Sequence, residues 1–238
     1  MGRSLEDRHR RVLGQPAIIC GAGPCGLVTD LGLALAGVSV LVLEKRETIN
    51  TASKASTFHP PTLDILDRLG LLARVRSRGL CVHSAEYRTA AGPFARFDFD
   101  TISGLTDHPF RMHLEQAEIA EAARSALEAL PNARLLFGAE ALSVTDSGDS
   151  ATVSFRAEGC EQTCKGAFVL VADGANSSLR AQMGIDFDGK TYPGEVLRVI
   201  TRTPMTRFIP DLSSLTYLFA GSRSISFLEM ADCWRIIL

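Results

Sequence analysis

No stretch of the 238-residue chain is apolar for long enough to cross a bilayer; the strongest, Leu31 to Leu43, is broken by Gly32, Gly37 and Ser39. Neither sign of charge dominates: 25 basic residues against 27 acidic ones leave a net charge of −2, with no broad electrostatic footprint for nucleic acid. The start, Met1 to Arg11, is charged and lacks the apolar core of a signal peptide. A flexible tail over residues 1–14 and a cytoplasmic location are the expectations. None of the six cysteines, at 20, 25, 81, 160, 164 and 233, forms a C-x-x-C pair. Cys160 and Cys164 are expected around a turn, with no histidine in that stretch to complete a zinc site. Free thiols and no metal are therefore expected. Disorder is excluded as well, since 46% hydrophobic and 22% charged residues is ordinary globular composition. The length suffices for one or two domains with a real core.

What is present begins with a short apolar run, Pro16 to Gly21, that reads as a buried strand. It passes into Gly21-Ala22-Gly23-Pro24-Cys25-Gly26 and then into Leu27 to Ala36, apolar and alanine-rich enough for a buried helix, with Gly37 in the place of a C-terminal stop. Val38 to Leu43 is a β-branched run closed by Glu44-Lys45-Arg46. Strand, glycine turn, helix, strand is a βαβ unit. Pro60-Pro61 opens a second helix, 81–89 and 93–100 suggest a hairpin, and Gln116 to Leu130 is helical with Pro131-Asn132 as its stop. Strands are expected near 133–137, 139–146 and 151–157, and at Ala167 to Ala172 ahead of Asp173-Gly174 and a short helix. Further strands are expected at 195–203, 214–220, 224–229 and 233–238. This order predicts an α/β domain whose chain leaves twice to build a β-rich second layer.

The glycines have separate tasks in that context. Gly21 makes the tight turn, Gly23 lets a pyrophosphate approach the backbone, and Gly26 allows close helix–strand packing. The helix start, with Ala22 and Pro24 in the loop, turns its N–H groups toward the phosphates. Glu44 stands 18 residues after Gly26, at the end of the next strand, where a carboxylate accepts ribose hydroxyls and disfavours a 2′-phosphate. FAD or NAD is expected there rather than NADP. Cys25 reads as a small packing residue.

With Glu44-Lys45-Arg46 the chain resembles the FAD-dependent aromatic hydroxylases, the p-hydroxybenzoate hydroxylase-like flavoprotein monooxygenases. Three further segments carry the resemblance: Lys54 to Leu71 with its Leu69-Gly70-Leu71 ending, Leu114-Glu115-Gln116-Ala117-Glu118, and Val169 to Arg180 with Asp173-Gly174. The resemblance implies a Rossmann-like FAD-binding βαβ domain over 15–80 and 114–190, interleaved with a β-sheet substrate domain over 81–113 and 191–238. It implies that Gly21, Gly23 and Gly26 hold the pyrophosphate and Glu44 the adenosine ribose, with Ala22, Pro24, Lys45 and Arg46 also among the cofactor-binding residues. Lys54, where the family commonly has an arginine, would lie near the flavin's phosphates and ribityl chain, keeping the charge without the bidentate fork. Gln116 would contact the flavin, Asp173 would sit beside it, and Arg180 would anchor the Asp-Gly loop or meet a nicotinamide cofactor.

The implied reaction is hydroxylation of a phenolic ring with NADH or NADPH and O2 through a flavin C4a-hydroperoxide. A homodimer is compatible with it. No residue stands out as a catalytic base; His59, His83, His108 and His113 lack metal-ligand spacing and read as surface or satisfied core residues. Arg74, Arg76 and Arg78 read as a solvated helix end. The family's later Gly-Asp motif is absent, because Gly148-Asp149 falls in a hairpin turn ahead of Asp173-Gly174. A C-terminally incomplete chain is therefore expected. The alternatives are another oxidoreductase on the same plan, such as a halogenase or an isoprenoid-chain reductase, and a non-catalytic nucleotide-binding remnant. The single tryptophan, Trp234, argues against a halogenase, which carries a Trp-x-Trp-x-Ile stretch.

Overall fold

The structure, a computed structural model, describes residues 14–52, 54–221 and 223–238. The expected N-terminal tail lies outside them apart from Gly14. In chain order the first elements are β1 (Ala17–Cys20), α1 (Pro24–Leu35), β2 (Val40–Glu44), β3 (Thr57–Phe58), α2 (Pro60–Arg68) and α3 (Leu72–Val75). Next come β4 (Leu80–Val82), β5 (Ser84–Thr89), β6 (Gly92–Asp98), β7 (Arg111–His113), α4 (Gln116–Glu128), β8 (Ala133–Phe137), β9 (Glu140–Asp146) and β10 (Ala151–Ala157). The chain continues through β11 (Cys160–Gly166), β12 (Phe168–Val171), α5 (Ser178–Gln182), β13 (Arg198–Thr201), β14 (Leu215–Ala220), β15 (Arg223–Glu229) and β16 (Trp234–Ile237). It forms two compact units, one of the described residues up to Ala52 with Ile119–Asp188, the other of Ser53–Glu118 with Gly189–Leu238. The segment 54–80 thus belongs to the second unit, and the first division after it falls inside α4.

The first unit is built on a parallel sheet of order β12-β1-β2-β8. All four residues of β1 are buried, as a central parallel strand covered on both faces requires. Alternation sends Ile18 and Cys20 to one face, where they meet Val153 and Phe155 of the antiparallel β9-β10-β11 meander. Helix α1 packs against β1 and β2 with Leu27, Leu31 and Ala34 buried. Gly37, at φ +83°, ends it, and Asn132 Nδ2 donates to the carbonyls of Ala34 and Val38 at 2.9 Å each. The helix end is thereby satisfied by a residue from the loop before β8. Cys160 and Cys164 do not flank a turn: both lie on β11, and the turn is Glu158-Gly159, where both residues have positive φ. The run Cys-Glu-Gln-Thr-Cys-Lys-Gly is an exposed edge strand, so no apolar alternation marks it.

The second unit carries a six-stranded sheet, β13-β16-β15-β14-β5-β6, and a small sheet, β3-β7-β4. On one face of the large sheet Ala85, Leu215 and Leu228 pack with Val82, Tyr87 and Tyr217. Phe227 and Trp234 pack with Leu212 on the other. Buried Arg88 bonds Glu86 at 3.1 Å and both carboxylate oxygens of Asp211 at 3.0 and 3.2 Å, so its charge is paired. His108 is satisfied by Asp64 at 2.8 Å, and Arg74, Arg76 and Arg78 are exposed. No helix of the described residues is long and apolar enough to cross a membrane.

Not every buried polar group is paired, and Asp30 is one exception. Asp30 follows Gly26 by one turn of α1, is fully buried, and neither of its carboxylate oxygens has a partner among the described residues. Burial pushes its pKa from 3.8 up to about 8. The folded chain therefore holds this proton over a range where the unfolded chain has released it. The stability it allows is full at acid pH and falls as pH rises toward about 8. Asp30→Asn is expected to flatten that slope, and Asp30→Ala to raise the unfolding free energy at slightly alkaline pH by about 1–3 kcal/mol. Urea denaturation at mildly acid and mildly alkaline pH measures both, and an unchanged slope in either variant would contradict the assignment.

Candidate functional site

Three backbones meet at the carboxyl end of β1. Gly21 has φ +112°, and a Cβ there would lie 2.4 Å from the Ala172 carbonyl oxygen, against the end of β12. A Cβ on Gly26 would lie 2.0 Å from the Gly21 carbonyl oxygen. Gly23 is different: a Cβ on it meets nothing within 4 Å. Two glycines are thus demanded by packing, while the third faces open space at the N-cap of α1. That helix has Pro24 in its first turn, no acidic residue there, and no side chain capping it. Its positive end is presented to whatever approaches Gly23.

Glu44 closes the other side. One of its carboxylate oxygens accepts from the Ala22 N–H at 2.8 Å and the other from the Arg46 N–H at 3.0 Å, tying the glycine loop to the end of β2. Lys45 and Arg46 are exposed beside it. Lys45 and Glu47 line a polar cleft of about 500 Å³ with Gly138, Glu140, Arg156 and Glu158.

Asp173 and Arg180 follow β12. One Asp173 carboxylate oxygen is buried without a partner among the described residues, and the Asp173 Cα lies 3.0 Å from where a Gly21 Cβ would be. The Arg180 N–H donates to the capping Ser177 Oγ at 2.9 Å. Its guanidinium donates to the Ala175 carbonyl at 2.8 Å and lies 4.5 Å from the centre of the Phe187 ring. The loop after Gly174 is held from one residue. The first unit therefore gathers Gly21, Ala22, Gly23, Pro24, Gly26, Glu44, Lys45, Arg46, Asp173 and Arg180.

Lys54 and Gln116 belong to the second unit, where they neighbour one another. The Gln116 N–H donates to the Ala55 carbonyl at 3.2 Å, and the Lys54 carbonyl accepts from Arg198 Nη1 at 3.2 Å. The Lys54 side chain is exposed. Arg111 and Tyr217, also in this unit, form a hydrogen-bonded pair at 3.0 Å that the sequence reading passed over, and His113, read there as a surface or satisfied core residue, is fully buried with Nδ1 2.7 Å from the Glu229 carbonyl oxygen and Nε2 without a partner among the described residues. The only sequence signal there was the alternation Arg-Met-His, too short to stand out.

A parallel sheet with a glycine loop at a helix start and a carboxylate at the end of the second strand defines a dinucleotide-binding protein. The chain belongs to the FAD binding domain family, whose model matches residues 15–232. It is 30% identical over 176 residues to para-nitrophenol 4-monooxygenase of Pseudomonas sp. (strain WBC-3), covering 74% of this chain and 44% of that protein. It is 31% identical over 190 residues to 6-hydroxy-3-succinoylpyridine 3-monooxygenase of Pseudomonas putida, covering 79% and 48%. The crystal structure of p-nitrophenol 4-monooxygenase from Pseudomonas putida matches with a TM-score of 0.87 at 25% identity, covering 94% of this chain and 57% of that one. The chain spans about half the length of the curated relatives it matches.

The glycine geometry separates folding from binding. Gly26→Ala is expected to destabilise the first unit by on the order of 3 kcal/mol, since backbone must move to admit the methyl group. Gly23→Ala is expected to stay within about 1 kcal/mol of the wild type. Denaturant midpoints measure the two, and equal losses would show that Gly23 is also held by packing.

Proposed function

We propose that the chain is the flavin-binding part of an NAD(P)H-dependent monooxygenase that hydroxylates a phenolic ring, acting in the cytoplasm. The observation that carries this reading is the open side of Gly23 at the helix N-terminus, between two glycines that packing requires. The names of the relatives, monooxygenases of nitrophenol and of a hydroxypyridine, support an aromatic substrate.

In this reading Gly21, Ala22, Gly23, Pro24 and Gly26 cradle the pyrophosphate of FAD against the positive end of α1. Glu44, already anchored by two backbone N–H groups, offers its remaining lone pairs to the adenosine ribose. Lys45, which lines the polar cleft, and its neighbour Arg46 are further cofactor-binding residues in this reading. Lys54 supplies positive charge to the flavin's phosphates and ribityl chain, and Gln116 contacts the flavin. Asp173, with one unpaired oxygen, accepts a hydrogen bond from the cofactor side, and Arg180 fixes the loop that carries it. Residues 15–80 and 114–190 serve FAD binding, and 81–113 with 191–238 serve the substrate. When bound, the flavin supplies electron transfer from the nicotinamide and the activation of O2. The protein's part is to orient the ring and keep water out.

The test is direct. The purified chain, incubated with FAD and passed through gel filtration, is expected to elute with the flavin absorbance, and a colourless protein would contradict the reading. Gly23→Ala is expected to lose flavin while staying folded. Glu44→Ala is expected to weaken FAD binding by about 1–3 kcal/mol, the range for a hydrogen bond to a charged group. Unchanged affinity in either variant would remove that residue from the cradle. Oxidation of NADH or NADPH that depends on an added phenol then tests the reaction itself.

A further inference from the structure

Lys54 and Gln116, the two candidate flavin contacts of the second unit, sit at the open end of a short ladder. β3 has only two residues, and its pairing with β7 sets Thr57 opposite His113 and Phe58 opposite Met112. Past the strands the ladder runs on through two bonds. The Leu114 N–H donates to the Ser56 carbonyl at 3.0 Å, and the Gln116 N–H to the Ala55 carbonyl at 3.2 Å. A strand of two residues is a weak anchor for what lies beyond it.

Two arginines of the large sheet reach that end. β13 and β16 are antiparallel neighbours, with Arg198 opposite Ile237 and Ile200 opposite Arg235. Arg198 stands two residues from Ile200, so both arginines leave the same face of the sheet. Arg198 Nη1 donates to the Lys54 carbonyl at 3.2 Å. Arg235 Nη2 donates to the carboxylate of Glu115, the residue before Gln116. Each side of the ladder's end is thus held by one arginine.

Stability alone does not call for an arginine at 235. The side chain is fully buried, with Leu228 opposite it on one neighbouring strand and Ile200 on the other. Taking a guanidinium out of water is costly, and apolar residues of similar volume often replace a buried ion pair without loss of stability. Glu115 keeps 39% of its side chain exposed, so its carboxylate is hydrated with or without the arginine. What the pair supplies is direction: Glu115 is drawn to one point on the sheet, and the backbone of Gln116 goes with it.

We propose that Arg198 and Arg235 are positioning residues for the flavin, a clamp on neighbouring strands that holds Lys54 and Gln116 at the places from which they meet the cofactor. The inference rests on the flavin-binding reading above. Neither arginine touches the cofactor. Arg198 acts through the Lys54 carbonyl, and Arg235 acts through Glu115. The large sheet, which that reading gives to the substrate, and the flavin contacts then belong to one body within the second unit. The adenosine half of the cofactor, cradled by the first unit, does not depend on the clamp.

Residue-resolved amide hydrogen exchange and ligand titration test this on the full chain. In Arg235→Met the Leu114 and Gln116 amides are expected to exchange about ten-fold faster than in the wild type, the scale of one lost hydrogen bond to a charged group. The amides of β10, in the first unit, are expected to keep their rates. FAD is expected to bind that variant about ten-fold more weakly, with a shifted flavin absorption band, and Arg235→Lys is expected to recover part of both. AMP, the adenosine half without the flavin, is expected to bind variant and wild type alike. Arg198→Ala, at an exposed position, is expected to weaken FAD binding by a smaller factor at an unchanged denaturation midpoint. Unchanged exchange in Arg235→Met overturns the clamp, and so does faster exchange with undiminished FAD binding. Equal losses for AMP and FAD show a general loosening and overturn it as well. A wild type that binds FAD no more tightly than AMP overturns the clamp and leaves the cradle standing. One that binds neither ligand overturns the flavin reading itself, and the clamp's role with it.

Discussion

At the end of β1 the backbone of the glycine loop touches both the start of α1 and the end of β12, and the first unit depends on that contact. Gly26 brings the helix down onto the Gly21 carbonyl, and Gly21 brings the loop against Ala172. Once those distances are set, the helix axis points its N-terminus at the open side of Gly23. Asp173 is carried to the same place because it follows the strand that Gly21 touches. The Glu44 carboxylate then fixes the loop from the opposite side through the Ala22 N–H. A binding surface made of backbone is precise here because packing, and not the ligand, sets its shape.

Much of this was legible in the sequence, for physical reasons. A buried parallel strand reads as a continuous apolar run, a helix stop needs a residue that tolerates positive φ, and a proline pair opens a helix at no hydrogen-bond cost. Ala17–Cys20, Gly37 and Pro60-Pro61 each carry one of those marks, and each stands where the reading placed it. β11 carried none, because an exposed edge strand of Cys, Glu, Gln, Thr and Lys has no buried face to impose alternation. β7 was missed for another reason. Three residues are too few for a period, and its partners at 57–58 and 80–82 are distant in sequence.

Candidate residues divide along the same line. Those of the first unit belong to a local motif within some thirty residues, with Asp173 and Arg180 marked by a strand and its turn. Arg111 and Tyr217, or His113 and the Glu229 carbonyl, become neighbours only through tertiary packing, across more than a hundred residues of sequence. Asp30 lies within that local stretch too, yet no pattern marks it: it is an orphaned carboxyl on α1 whose burial weighs on stability in alkaline solution.

Strand order also has a consequence in time. The edge strand that completes the cradle, β12, pairs residue 168 with residue 17, and everything between them, including much of the second unit, is made first. During synthesis the glycine loop waits, with one flank of its sheet uncovered, until the chain has emerged past Asp173. Long-range parallel pairing of this kind is slow and leaves an open edge in the meantime. A nucleotide that needs both the loop and Asp173 would therefore arrive late on the ribosome-bound chain, sealing a nearly finished domain instead of nucleating it.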